Sequence, residues 1–211
     1  MRFLRYINTI VPQNQSGLLD YIKLVMMQIS AKTKKTTEKR ISQCDIFHDI
    51  DVIEQITERD EGIAVSYIHF PLVICLNQDC DLNSDERDKL KVGSNKDCRL
   101  LHLIIAPLFN FDIFKDGEHW GDIFQTGQKY NPHKTDGKKI MNNEDPRFHS
   151  LHFEDDFNLP DMVVDFKHFY TVSTDYLYEN IDKRVCSLSE LYREKISQRF
   201  AYFISRIGLP E

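Results

Sequence analysis

The residues of this chain best suited to chemistry gather in two short strings. The first, Asn77, Gln78, Asp79, Cys80 and Asp81, follows directly on the apolar run Leu72 to Leu76. A strand end is where a rigid sheet presents side chains to a ligand. Three readings compete for this string. As a hard-cation site, Asp79 and Asp81 at period two on an extended chain point the same way, with Asn77 as a third oxygen ligand. As a nucleophile site, Cys80 needs an activating environment and an imidazole within hydrogen-bond reach, and the spacing of the eight histidines selects none of them. As a turn, Asp79 and Asp81 cap backbone amides while Cys80 packs as a small apolar residue.

The second string is PRFHSLHF, which carries Arg147, His149 and His152. Strand alternation puts Arg147 and His149 on one face. There arginine stabilises charge on a phosphate and histidine moves a proton, the combination of metal-independent ribonucleases. The alternative is a surface arginine beside a half-buried histidine. His102 and His168 lie inside strand-like runs and read as core histidines. Trp120, the single tryptophan, serves either as a stacking platform or as an anchor pinning a loop to the core. Lys167, on the polar face of a strand, joins Asn77, Gln78, Cys80 and Trp120 as a ligand-binding candidate.

Composition narrows the function classes. A net charge of −6 argues against coating a polyanion, since such binding rests on Lys and Arg neutralising phosphates, and leaves room only for a local basic groove. The cysteines, Cys44, Cys75, Cys80, Cys98 and Cys186, are odd in number and lack CxxC spacing. That argues against a disulfide framework and a zinc ribbon, and suits a reducing cytoplasm. We expect no cofactor and no dedicated metal centre outside the Asp79 and Asp81 reading. Met1 to Pro12 has no apolar signal-peptide core, and no apolar run reaches the length of a membrane span, so a soluble protein with no membrane contact is expected.

The elements that must position these residues are legible from periodicity. Leu18 to Ala31 carries Leu18, Ile22, Val25 and Ile29 at helical spacing. Lys32 to Arg40 has no apolar residue and reads as a solvated basic linker, so residues 1–40 form an N-terminal extension to a domain at 41–211. Strand-like runs follow at Asp45 to Ile56, Ile63 to Ile68, Leu72 to Leu76 and Leu100 to Ala106. The last two are apolar throughout, as strands covered on both faces are, and are expected at the centre of the sheet. Glycines and prolines between residues 109 and 146 predict a long inserted loop. Strand character returns at Ser150 to Phe153 and at Met162 to Val172, where Val164, Phe166, His168, Tyr170 and Val172 line one face. A helix is predicted over residues 187–208, with Ser187 and Glu190 as a capping box, a stripe of Leu188, Leu191, Ile196, Phe200, Phe203 and Ile207, and Gly208 and Pro210 as its stop. The fold class is α+β and β-rich.

Taken in order, these strings resemble the MazF/PemK group of toxin ribonucleases, whose fold is a small SH3-like barrel shared with the CcdB toxins. CDIFHDIDVIE is similar to that family's opening "GDI" strand, with Cys44 in place of the glycine. FPLVICLNQD is similar to "RPVLVIS-N", LIIAPLF to "VVAPIT", and NLPDMVVDFKHFYTVSTDYL to "DSVVL-DQIRTVDK-RL". The string NQDCDL also resembles a "TQDCDL" string of uncharacterised bacterial proteins. The MazF/PemK resemblance implies a toxin-like, phage-defence or mobile-element protein acting on RNA or translation, with an antitoxin or another operon-encoded protein as partner and a homodimeric state. At the family's catalytic arginine and threonine positions, however, this chain has Phe70 and Phe109, and neither can transfer a proton or neutralise phosphate. On this resemblance the chemistry has either moved, to Asp79, Asp81, Arg147 and His149, or been lost. Two other functions stay open: a non-catalytic interaction module of a multi-protein system, and a metal-dependent hydrolase centred on Asp79 and Asp81.

Overall fold

The computed structural model describes residues 33–34, 38–60, 62–89, 96–120, 137–153 and 159–206. The predicted helix Leu18 to Ala31 lies outside them. Among the described residues eight strands form one curled antiparallel half-barrel sheet. They are β1 (Thr33–Lys34), β2 (Asp45–Arg59), β3 (Gly62–Cys75), β4 (His102–Asn110), β5 (Phe148–Leu151), β6 (Met162–Asp165), β7 (Tyr170–Ser173) and β8 (Arg184–Leu188). The order is β1-β8-β2-β3-β4-β6-β5, with β7 also on β4. The two apolar runs expected at the centre are there, in β3 and β4. The helices are α1 (Asp79–Lys89), α2 (Phe111–Lys115), α3 (Gly137–Met141), α4 (Thr174–Glu179) and α5 (Glu190–Ile204).

Alternation along β3 and β4 divides the core in two. Val73, Cys75, Leu103, Ile105 and Phe109 face one cluster, which the curl of the sheet closes over together with Leu82 of α1, Phe111 and Phe114 of α2, Trp120, Ile140 of α3 and Leu177 of α4. Leu72, Ile74, Ala106 and Leu108 face the other cluster, roofed by Ile196, Phe200 and Phe203 of α5. Both faces are therefore dry over Leu72–Cys75 of β3 and largely so over Leu103–Leu108 of β4, which is why these stretches are continuously apolar.

The two runs Ile63 to Ile68 and Leu72 to Leu76 form one strand that passes straight through Pro71. By register Pro71 stands opposite Asp49, since His48 pairs with Leu72 and Ile50 with Phe70. Asp49 takes a left-handed backbone, φ +53°, which Asp tolerates better than most residues. Both strands change face there: Phe47 and Ile50, three apart, serve the same cluster, as do Phe70 and Val73. The hairpin closes where Arg59 pairs with Gly62, whose φ of +134° suits glycine alone.

Met162 to Val172 is not one strand. β6 and β7 run along the same edge of β4, but the pairs Leu108 with Val164 and His102 with Ser173 are out of step by three residues. The excess is a turn of 3-10 helix at Phe166–His168. An odd excess reverses the faces, so Val164 and Phe166 join the cluster under α5 while Val172 joins the other. The expectation of one continuous apolar face is corrected accordingly.

The C-terminal helix begins at Glu190, not at 187. Ser187 lies in β8 and its hydroxyl donates to the buried carboxylate of Asp45, so it does not cap a helix. Leu188 is buried in β8, and Leu191 faces solvent at 77% exposure, so the apolar stripe starts at Ile196. The predicted linker also contributes structure: Thr33–Lys34 pairs with β8. No described helix is long and apolar enough to cross a membrane.

Candidate functional site

Asp79 and Asp81 lie in the first turn of α1. Residues two apart on a helix are separated by about 200° around its axis, so the two carboxylates diverge and the expectation that they face the same way is corrected. Asp79 accepts hydrogen bonds from Arg40 Nη1 at 3.2 Å and the Gln43 amide at 3.2 Å, and it pairs with Arg193 Nη1 of α5 at 3.1 Å. A carboxylate at a helix N-terminus is already favoured by the peptide dipoles. Asp79 thus ties the segment before β2, α1 and α5 together. Asp81 is exposed.

Asn77 and Gln78 serve the fold as well. Asn77 Oδ1 accepts the Ile104 amide at 2.6 Å, stitching the end of β3 to β4. The Gln78 carbonyl accepts the amides of Asp81 and Leu82, starting α1. Cys80 is exposed, and its sulfur lies 3.6 Å from each of two acceptors for its single S–H, Gln78 Oε1 and Asp81 Oδ1. The other thiols divide by burial. Desolvation holds Cys75 and Cys186 up at about 12 and raises Cys44 well above its ordinary value, so all three stay protonated. Among the described residues no group of three or more His, Cys, Asp or Glu side chains is arranged to hold a metal ion.

Arg147 and His149 are separated by their surroundings. Arg147 Nε and Nη2 grip Asp165 at 2.8 and 2.6 Å, a bidentate pair around a carboxylate with no solvent exposure. Asp165 also accepts the Lys167 amide at 3.0 Å and lies 3.8 Å from His168 Nε2. Lys167 itself is exposed. Trp120 is a buried anchor, edge-on to Phe109 at 4.8 Å and to His168 at 4.6 Å. His119 packs against Phe109 and Phe114. Burial lowers His119 to about 4 and lowers His168 as well, Asp165 opposing both shifts, so at neutral pH both imidazoles are uncharged. Arg147 therefore converges with Asp165, His168, His119 and Trp120. His149 points to the other core, beside Phe166, where burial lowers it to about 3. His152 pairs with Asp161. Phe70 and Phe109 are core residues of one cluster.

Another buried carboxylate, Asp45, accepts hydrogen bonds from the Ser42 amide at 2.9 Å, the Ser187 hydroxyl and Arg184 Nη1 at 2.9 Å. Burial raises its carboxyl above the usual carboxylate range, and these donors offset only part of the rise. Arg184 also donates to the carbonyls of Arg40 and Glu38. An open depression of about 320 Å³ is lined by Glu144, Pro146, Gln198, Arg199 and Tyr202. Arg199 is spent there on the carbonyls of Asn143, Asp145 and Phe148.

What sequence reading missed lies on the outer half of the β2–β3 hairpin. Ile53, Ile56, Ile63, Val65 and Tyr67 are all exposed, Ile56 at 62% and Ile63 at 72%. Ile53 pairs with Tyr67, Ile56 with Val65 and Glu58 with Ile63, and residues directly opposite share a face. Ile53 and Ile56 are three apart and would fall on opposite faces of a regular strand. A bulge between Ile53 and Gln55 adds the residue that brings them onto one face. The opposite face, past Val52 and Ile68, carries Gln55 with Ser66 and Thr57 with Ala64. At the foot of the apolar ladder His69 bonds Asp51 at 2.7 Å, with its other nitrogen 3.4 Å from Asp49, which pairs with His48 at 2.9 Å. The signal in the sequence was the spacing of Ile53 and Ile56, which only the bulge interprets.

Comparison with protein-family models, with curated proteins and with solved structures finds no match to this chain.

Proposed function

We propose that this chain is a non-catalytic protein-interaction module of a multi-protein system, docking through the outer half of the β2–β3 hairpin. The observation that carries this reading is the exposed ladder of Ile53, Ile56, Ile63, Val65 and Tyr67 on a single face. Isolated apolar residues on a surface are ordinary, whereas a contiguous set signals a contact site. The charged residues that sequence reading selected for chemistry support the same view, because Asp79 and Arg147 are consumed in ion pairs that hold elements together.

The curl of the sheet is compatible with a small barrel of the MazF/PemK type. On that reading the core roles of Phe70 and Phe109 explain why the usual catalysts are missing while the scaffold is kept for binding. A cytoplasmic setting fits the unpaired cysteines. The test is Tyr67→p-benzoylphenylalanine in the native cell. One discrete protein adduct is expected, with none from the same photo-crosslinker at Lys167. Absence of any adduct from Tyr67 sinks the module reading.

A second reading, action on RNA, is favoured by one observation: Arg147 lies in a cluster with two uncharged imidazoles, His168 and His119. In it, His168 accepts a proton from a ribose hydroxyl while Arg147 and Lys167 face the phosphate. It ranks second because Asp165 already neutralises Arg147. Incubation of purified protein with single-stranded RNA checks it: cleavage lost in His168→Ala at unchanged melting temperature would put this reading first.

A further inference from the structure

Resting on the module reading, we propose that the hairpin's partner is an extended protein segment with alternating apolar and basic residues, added as a strand to the outer edge of β3. Three features of the hairpin select this occupant: a free edge, an apolar face flush with that edge, and acidic residues across from it.

Among the described residues β3 pairs with β4 only through Val73, Ile74 and Cys75, which leaves its outer edge from Gly62 to Leu72 without a neighbouring strand. The outer edge of β2 is partly closed: Lys183 Nζ donates to the Asp49 carbonyl at 3.0 Å and the Asp51 amide donates to the Tyr176 hydroxyl at 3.2 Å. Because Asp51 turns its amide away from β3, the antiparallel pattern also turns the backbone groups of its partner His69, and then of Tyr67, Val65 and Ile63, away from β2. The residues that offer free main-chain groups at this edge are thus the ones whose side chains build the apolar ladder. A strand laid along the edge gains backbone hydrogen bonds and continues that ladder with every second side chain.

Charge settles what else the segment carries. Asp51, Glu54, Glu58 and Asp60, on β2 and its turn across from this edge, are all exposed, so the hairpin is acidic as a whole. A basic segment is drawn to it by longer-range attraction. A second copy of this chain would bring the same acidic residues, and RNA or an anionic lipid surface would bring phosphates, so none of these supplies the complementary charge.

The probe is an acetylated and amidated eight-residue peptide of alternating Val and Lys with a terminal fluorophore, read by anisotropy against the full chain. Its controls are the same residues in two blocks, four Val then four Lys, and an alternating Val and Glu peptide. The alternating Val and Lys peptide should bind about tenfold more tightly than either control. The Ile56→Ser, Val65→Ser double variant should weaken it by a similar factor at unchanged melting temperature. Glu54→Lys with Glu58→Lys should reverse the preference toward the Glu peptide, a readout that survives if the apolar variant folds poorly. Equal binding of the block peptide, or no effect of either variant, overturns the strand inference. So does a wild-type dimer in sedimentation that the double variant dissociates, or saturable binding of single-stranded RNA abolished by the same variant. If the peptide fails while Tyr67 still yields its cellular adduct, the module reading stands and only the partner's chemistry is wrong.

Discussion

At its base the β2–β3 hairpin is sealed, with Phe47, Ile50, Val52, Ile68, Phe70 and Val73 packed under the curl of the sheet and Ile46, Leu72 and Ile74 covered by α5. From Ile53 outward the same two strands keep their pairing and lose their cover. Around the base charged residues act as bolts: Asp45 with Arg184 and Asp79 with Arg193 join segments far apart in sequence, while Asp165 with Arg147 ties β6 to the start of β5. The outer half uses apolar residues as surface. The contrast teaches that in this chain residue type is a poor guide to position, because Asp79 and Arg147 are held in ion pairs while the apolar residues of the outer hairpin face solvent.

Breaking the strongest bolt gives the largest expected effect. Arg184→Ala leaves Asp45, which has no solvent exposure, buried without its counter-charge, and should cost about 3–5 kcal/mol in urea unfolding. Acid comes next. His149 is held near 3 and His119 near 4, below the unfolded value of about 6.5. The unfolded chain therefore binds protons first, and stability that is full above about pH 6.5 falls progressively as pH drops toward 4. His149→Phe should flatten that slope in a melting series from pH 7 to pH 4; an unchanged slope removes His149 from the account. Asp79→Ala breaks a partly exposed node and should cost roughly 1–2 kcal/mol. At the free end, Ile56→Ser should change stability by less than about 0.5 kcal/mol. A loss comparable to that of Arg184→Ala would mean that the ladder is part of the core and erase the contrast.

Much of the sheet was legible because burial on both faces leaves a plain trace, the apolar runs of Leu72 to Leu76 and Leu103 to Ala106. What the sequence hid are features set by single extra residues or distant partners. The 3-10 turn at Phe166–His168 reverses the faces of an otherwise regular alternation. Ser187 looks like a helix cap until Asp45 takes its hydroxyl. Asp79 and Asp81 look like paired strand ligands until α1 starts two residues earlier than such a strand would end. In the second string, the neighbour of Arg147 that matters is Asp165, 18 residues away, and nothing in the local spacing of His149 pointed to it.

The bolt between Asp45 and Arg184 also orders events in time. Its two halves are 139 residues apart, whereas the β2–β3 hairpin closes over a turn of a few residues. Local pairings form early and distant ones late, and synthesis releases the chain from its N-terminal end. On the ribosome the hairpin can therefore assemble well before β8 exists, leaving Asp45 hydrated at a half-built seam. Nascent chains halted before Arg184 should already expose the ladder yet remain open to proteolysis at the base.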